Sequence, residues 1–478
     1  MKKFIFIAVA VVLLALAPLG VKNIIDEEVS KQSLLLEKKG LKVEVLSSNG
    51  YLKTKRDFEL TIEDEKKFKE FLRDSFVEKY PTYEALFDSI VEEDTKEFDE
   101  FLRGLVFKGD ISNSNINYNS DIDVYVYLHK FSDEIMSELN RNKDKNQEVL
   151  SLLNKKALAF DINLTNKAKL KRIALKDIDE RVVSKNSLGH TSDTTFKVLS
   201  YFFENKSTQE LLKGKLNLDK FLIQTSKENE NSIMDLTSLV YNFTYLNEYI
   251  NSSDLKLKEF SFLVDGVNVD INNLDLKSKG LVKSGIYRTQ LDLKTDDFRF
   301  LTPADKFTIE SILLNIDFNN IDYERLRNLN SSYINLELIS LDKTLTKNER
   351  SQKLSYAVET LINDIDEVLN YGATLKANLD LKALDSRISF ETIDLDIDLT
   401  LQKNNLTFQT LNKKELLSNI DGTINIVLPK KDFIVLLKEI NSNIGMLLSV
   451  YAKEEKNQVL FNIDIKNGEI FVNDKKLN

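Results

Sequence analysis

Two histidines, His129 and His190, are the whole imidazole complement of this 478-residue chain for proton transfer or metal binding. His129 falls at the end of an alternating run beside Lys130, and His190 lies in the turn-rich stretch SLGHTSDT. Neither has a neighbour that would make it a general base. No histidine pair stands at helical spacing, so zinc-protease chemistry has no ligands. The chain has no cysteine, which excludes disulfides, thiolate metal sites, thiol nucleophiles and lipid attachment through an N-terminal cysteine. A glycine-rich phosphate loop, a G-x-S-x-G elbow and an S-x-x-K pair are also missing.

Carboxylates remain. Asp394, Asp396 and Asp398 stand at period two, so as a strand they share one face, with Leu395, Ile397 and Leu399 on the other. Such a comb could hold a hard cation such as Ca²⁺, but the glycine-containing turn of a calcium loop is missing. The expectation is therefore the solvated face of a half-buried strand, and the same holds for Asp121 and Asp123. Asn163, in Asp161-Ile162-Asn163-Leu164-Thr165, fits an acidic-x-Asn-x-Thr pattern used by some bacterial glycosylation systems, and is the candidate modification site. No catalytic, cofactor-binding or metal-ligating residue is predicted, and no cofactor.

The composition narrows the class further. Lys and Arg number 66 against 76 Asp and Glu, a net charge of −10 without a basic patch, which argues against a nucleic-acid partner. Hydrophobic residues make up 42% of the chain, enough for a substantial core, and 4 Pro with 14 Gly exclude collagen-like or low-complexity architecture.

Lys2 and Lys3 precede an uncharged apolar run from Phe4 to Val21. At 1.5 Å per residue this run spans roughly 27 Å, close to the hydrocarbon thickness of a bilayer. It is either the apolar region of a signal peptide or a short uncleaved anchor. Ala15-Leu16-Ala17 has the small residues of a cleavage site, but Pro18 follows directly, which favours the anchor. With lysines on one side and Asp26, Glu27 and Glu28 on the other, the positive-inside rule puts the body outside the cytoplasm. The expectation is a single-pass protein of the bacterial inner membrane with its bulk in the periplasm.

The elements that must position any site follow from periodicity. Residues 22–39 read as an amphipathic helix ended by Gly40, and 42–46 and 51–62 as strands joined at Asn49-Gly50. Helical spacing runs from Glu65 to Leu102, broken by Pro81, and strand-like alternation returns over 112–128. A helix over 133–156 precedes strands at 158–165 and 170–178. The middle, 196–342, is mostly strand-like, with a helix expected near Ile233 to Ile250 and strands at 255–300, 307–318 and 333–341. A helix from Thr346 to Tyr371 ends at Gly372; strands at 374–381, 389–402 and 423–428 lead to a helix opened by Pro429 and a final hairpin turned on Asn467-Gly468.

Clean alternation of apolar and polar residues indicates antiparallel sheets. The predicted fold is α+β: an N-terminal transmembrane helix, then long antiparallel β-sheets covered by amphipathic helices. The regions are 1–21 (membrane helix), 22–64 (juxtamembrane helix and hairpin), 65–195 (mixed), 196–342 (strand-rich) and 343–478 (C-terminal α+β with the closing hairpin).

The two ends carry a resemblance. The segment KGLKVEVLSSNGYLKTKRDFELTI follows the apolar run, GTINIVLPKKDFIVLLKEI leads a strand into a helix, and FNIDIKNGEIFVNDKKL closes the chain. Together they resemble the YdgA-like family of bacterial inner-membrane and periplasmic proteins, whose function is undefined. The resemblance implies an envelope location and carries no catalytic residue across.

The leading expectation is a non-enzymatic, membrane-anchored envelope protein that scaffolds partners or maintains the envelope. The alternative is a lipid-binding or lipid-transfer module using an apolar sheet face. A carboxylate-based hydrolase ranks third. Expected partners are the inner membrane, through the N-terminal helix, and a lipid or envelope protein.

Overall fold

A computed structural model describes residues 35–49, 53–77, 95–114, 121–141, 147–165, 169–185, 191–208, 211–227, 230–247, 249–342, 345–386, 389–407, 413–440 and 442–477. The apolar run 4–21, most of the expected helix at 22–39, Gly50, Pro81 and His190 lie outside them. The described chain divides into two compact units. One holds the residues up to Lys206 with Gly214–Ser232, and the other Ser207–Lys213 with Ile233 onward.

The first unit begins with strands β1 (Leu41–Asn49) and β2 (Lys53–Ile62), then helices α1 (Glu65–Val77) and α2 (Thr95–Leu102). Strands β3 (Val106–Ser114) and β4 (Ile122–Lys130) follow, then α3 (Asp133–Arg141), α4 (Gln147–Asn154) and β5 (Ala159–Leu164). Strands β6 (Leu170–Leu175), β7 (Ile178–Lys185), β8 (Thr191–Leu199), β9 (Phe202–Asn205) and β10 (Leu212–Lys227) complete it. β1 to β6 pair antiparallel in chain order. β9 then pairs with β6, β8 with β7, and β10 runs along both β8 and β9.

This sheet has a closed core. Alternation in β4 turns Ile122, Val124, Val126 and Leu128 to one face, where none is more than 3% exposed. Their cross-strand partners include Phe107 and Ile162, also buried. Each helix adds a buried residue: Phe68, Leu102, Leu139 and Leu153. Burial of this kind, at about 25 cal/mol per Å² of apolar surface, is what offsets the entropy of ordering the chain. Gly40 takes φ +81° after the short helical turn before β1, and a Cβ there would sit 2.1 Å from the Asp64 carbonyl oxygen. Only glycine fits that approach.

The second unit holds β11 (Glu230–Tyr245), β12 (Asn251–Val264), β13 (Val267–Lys283), β14 (Ile286–Thr295), β15 (Asp297–Leu301), β16 (Lys306–Ile309) and β17 (Ser311–Asp322). A helical hairpin, α5 (Tyr323–Leu341) and α6 (Lys347–Tyr371), leads to β18 (Ala373–Leu384) and β19 (Phe390–Leu401). After α7 (Lys413–Ser418) come β20 (Ile420–Pro429), α8 (Lys430–Glu439) and α9 (Ser442–Tyr451). β21 (Lys453–Glu455), β22 (Gln458–Lys466), β23 (Glu469–Val472) and β24 (Lys475–Lys476) end the chain. The ladder runs β11–β12–β13–β14–β17–β18–β19–β20–β22–β23–β24, every pairing antiparallel. β15 continues the line of β14 along β13, and pairs with β16.

Several expectations hold. α6 follows Thr346 and ends at Gly372 with φ +92°, as expected; the structure adds a capping box at its start, Thr346 Oγ1 accepting from the Glu349 N–H at 3.3 Å while Glu349 accepts from the Thr346 N–H at 3.0 Å. Asn467 and Gly468 take φ +51° and +78°, the geometry of a tight hairpin turn between β22 and β23.

Others are corrected. Residues 233–250 are not a helix: β11 occupies them as far as Tyr245. An irregularity crosses three strands at Ser238, Lys258 and Asn273, which are skipped in the ladder. In β11 it moves the inward parity from Met234 and Leu236 to Leu239, Tyr241 and Phe243. The resulting spacing of three imitates a helix. Residues 333–341 are not a strand but the end of α5, whose packing against α6 overrides the local alternation of Ile334, Leu336 and Leu338.

The α+β fold with a transmembrane helix and helix-covered sheets is likewise corrected. The chain is mostly β, strands holding about twice as many residues as helices. No described helix is long and apolar enough to cross a membrane. In the second unit the α5–α6 hairpin makes its main sheet contact at β17, and α8 with α9 lies against β20 and β22.

Candidate functional site

The largest feature of the second unit is one face of its sheet. Directly opposed residues form an unbroken apolar row: Tyr241 to Leu255, Leu276, Leu293, Leu314, Leu379, Leu395, Ile426 and Phe461. A second row two residues along runs through Leu291, Ile316, Ala377, Ile397, Ile424 and Ile463. The three-strand irregularity at Ser238, Lys258 and Asn273 keeps Phe260, Phe262, Ile271 and Val269 on this same side, and Phe298 and Phe300 of β15 extend it.

This face is not a closed core. From β11 to β20, Leu257, Ile309, Ile321 and Leu428 are the buried large apolar residues of this face among the described residues, and the others stay part-exposed. Met234 is 39% exposed, and Phe300 and Phe318 are each 37% exposed. The contrast with β4, whose apolar face is under 4% exposed, is between a sheet with a second layer and one that the described residues cover only in part. At about 4.8 Å per strand and 3.3 Å per residue, the two rows and their neighbours span on the order of 38 Å by 26 Å. A single leaflet of hydrocarbon is about 15 Å deep, so the face can take extended acyl chains at full length. Apolar patches of this extent are found at interaction and ligand-binding surfaces.

The opposite face is polar, and several of its carboxylates are paired with lysine, arginine or asparagine. It contains a shallow depression of about 580 Å³ lined by Gln290, Asp292, Asp317, Lys376, Asn378, Asp396, Asp398 and Asn425, among others. The acidic comb of β19 lies here, on one face as expected, but its carboxylates diverge. Lys376 Nζ reaches Asp398 at 2.8 Å, and Asn378 donates to Asp396. Asp394 opposes Asp380 across β18, whose Oδ1 is buried without a hydrogen-bond partner among the described residues. Burial first, then the charges of Asp380 and Asp396, push the Asp394 carboxyl above its ordinary range. Asp317 is the opposite case: the Arg288 guanidinium, donating through Nε at 2.8 Å, holds its carboxyl below that range despite partial burial. Among the described residues no three His, Asp or Glu side chains converge at metal-ligand spacing.

The remaining sequence candidates are scattered. His129 is exposed at the end of β4 and packs edge-on to the Tyr127 ring at 6.2 Å. Partial burial of its ring and then the Lys108 charge hold its pKa below the ordinary imidazole value. The Glu59 carboxylate opposes that shift by its charge. Asp121 pairs with Lys171 at 2.6 Å, and Asp123 accepts from Asn163 Nδ2 at 3.0 Å. Asn163 thus sits in a strand laddered on both sides, to Asp123 and to Arg172, with its amide engaged. A glycosyl transfer there would have to precede folding of β5.

What the apolar face presents is aliphatic and aromatic surface. Its signal in the sequence is the alternation over 255–300 and 374–401, which identifies an apolar side. The missing second layer is a tertiary property with no local signature. Comparison with family models, curated proteins and solved structures finds no match to the chain.

Proposed function

We propose that the second unit is a lipid-binding module whose open apolar sheet face receives acyl chains. The observation that carries this reading is the cross-strand row from Tyr241 to Phe461, continuous over nine strands and part-exposed on the eight from Tyr241 to Ile426. A scaffold would need that surface covered by another protein; the one carboxylate pair noted above, Asp380 with Asp394, lies on the reverse face, away from the apolar rows. Apolar chains need only what is present, and the lysine- and carboxylate-bearing reverse side keeps the sheet soluble. The acidic chain and its apolar run at 4–21 suit a bacterial envelope protein working beside a membrane.

The test is a titration of the full chain with a fluorescent long-chain fatty acid. Replacing Leu379 and Ile397 together by Asp puts charge at the centre of the face and should weaken binding at least about tenfold, or 1.4 kcal/mol. Asp398→Asn, on the reverse side of the same strand, should leave the affinity unchanged. Absence of saturable binding, or equal affinity in the double variant with its fold intact by circular dichroism, would contradict the proposal.

A further inference from the structure

Where β18 begins and β19 ends, the apolar face runs up to a pair of cations. Ala373 pairs with Leu401 and Leu375 with Leu399, the last apolar-face pairs of these strands. Tyr371, the last residue of α6, precedes this end, and Lys403 follows it two residues past Leu401. Gly372 lets the two segments meet: a Cβ there would stand 2.6 Å from the Leu401 carbonyl oxygen and 3.3 Å from the Lys403 nitrogen. Asn404 fastens them, its N–H donating to the Asn370 carbonyl at 3.1 Å and its Nδ2 to the Leu369 carbonyl at 3.0 Å. Lys403 Nζ then lies 4.9 Å from the centre of the Tyr371 ring, and the Arg325 guanidinium of α5 lies 5.6 Å from it.

Other arginines of this unit are neutralised: Arg288 by Asp317, Arg299 by Asp297 at 2.8 Å and Arg327 by Glu324 at 2.7 Å. Arg325 instead donates through Nη1 to the Glu367 backbone carbonyl at 3.0 Å. Among the described residues, no carboxylate lies within ion-pair distance of Arg325 or of Lys403. Nearby carboxylates are engaged elsewhere or turned outward. Asp322 caps α5 through the Arg325 N–H, Asp421 accepts from Gln402 and from the Asn467 N–H, and the Glu367 side chain is exposed. The C-terminus of α6 also faces the two cations, but its partial charge of roughly −0.5 offsets only a quarter of theirs. Arg325 and Tyr371 are part-exposed and Lys403 is exposed, so a ligand can reach them.

We propose that Arg325 and Lys403 hold the anionic head of an acyl lipid, a carboxylate or a phosphate, at the Tyr371 end of the apolar face. The chain then runs from Leu401 along β18 and β19. This rests on the acyl-chain reading above and adds the charge and the orientation of the ligand. An aliphatic face alone would take a neutral ester as readily as an acid. Unpaired cations at one end favour the acid, because a contact between charged partners is roughly twice as strong as a neutral one.

The test extends the fatty-acid titration of the full chain to displacement by unlabelled competitors: palmitate, a lysophosphatidic acid with the same chain, methyl palmitate and inorganic phosphate. Both anionic lipids should displace the probe at least about tenfold more tightly than the ester, a preference that salt narrows. Arg325→Gln with Lys403→Gln should erase the preference and leave the affinity for the ester as it was. Tighter binding of the phosphate lipid assigns a phosphate head and tighter binding of palmitate a carboxylate; either supports the site. Equal binding of acid and ester by the parent chain overturns the proposal and leaves the sheet reading standing. So does a double variant that keeps the preference, or one that lowers the thermal midpoint and weakens acid and ester alike, which assigns the cations to capping α6. Displacement by inorganic phosphate as strong as by palmitate assigns them to a soluble anion and also overturns it. No saturable binding of the probe overturns both readings at once.

Discussion

Asp394 and Asp380 face each other across β18 and β19, and burial with these like charges raises the Asp394 carboxyl pKa. A carboxyl whose folded pKa exceeds its unfolded value binds protons more tightly when folded, so it costs stability as pH rises through that interval. Asp394→Asn should therefore raise the thermal midpoint at pH 7 by about 1–2 °C, with the gain shrinking as pH falls toward the ordinary carboxylate range. Glu65 in the first unit has the opposite sign. Its buried carboxylate accepts from Arg103 Nε at 3.2 Å, and chiefly that partner lowers its pKa. Its contribution is present above the unfolded carboxylate pKa and is lost as pH falls through the depressed folded value. Glu65→Gln should lower the midpoint of the first unit by roughly 2–4 °C at neutral pH, tempered by the solvent exposure of Arg103. The difference from the parent chain should close in acid; a constant difference would show that packing, not charge, is responsible.

At the scale of elements, the legible part of the fold is the part whose signals are local. The start of α6 at Thr346, the Gly372 stop, the Asn467-Gly468 turn and the two-sided pattern of β19 all depend on residues close in sequence, and each is legible there. Thr346→Ala should cost about 1 kcal/mol at the start of α6, seen as faster amide exchange in its first turn with little change at Tyr371. β11 and α5 are illegible in the sequence for the converse reason. One irregular residue, Ser238, turns a strand's period of two into an apparent three, and the α6 partner turns an alternating segment into a helix. Of the candidate site, the alternating strands showed which side was apolar. Whether anything lay over that side depends on what the helices pack against, and periodicity along one strand carries no information about that.

At the scale of the molecule, the two units treat the same kind of strand differently. The first closes its apolar face with helices and loops until β4 is under 4% exposed; the second leaves rows of leucine and isoleucine part-exposed across a sheet nine strands wide. Leaving such a surface open costs hydration free energy and invites association, which is tolerable where the surface has an occupant. The most direct measurement puts a photoreactive benzophenone residue at successive positions of β19 in the full chain, with an alkyne-tagged long-chain fatty acid present. Because neighbouring positions point to opposite faces, crosslinking should alternate, strong at Leu395, Ile397 and Leu399 and weak at Asp394, Asp396 and Asp398. Even labelling along the strand, or labelling on the aspartate side, would contradict acyl-chain binding at this face.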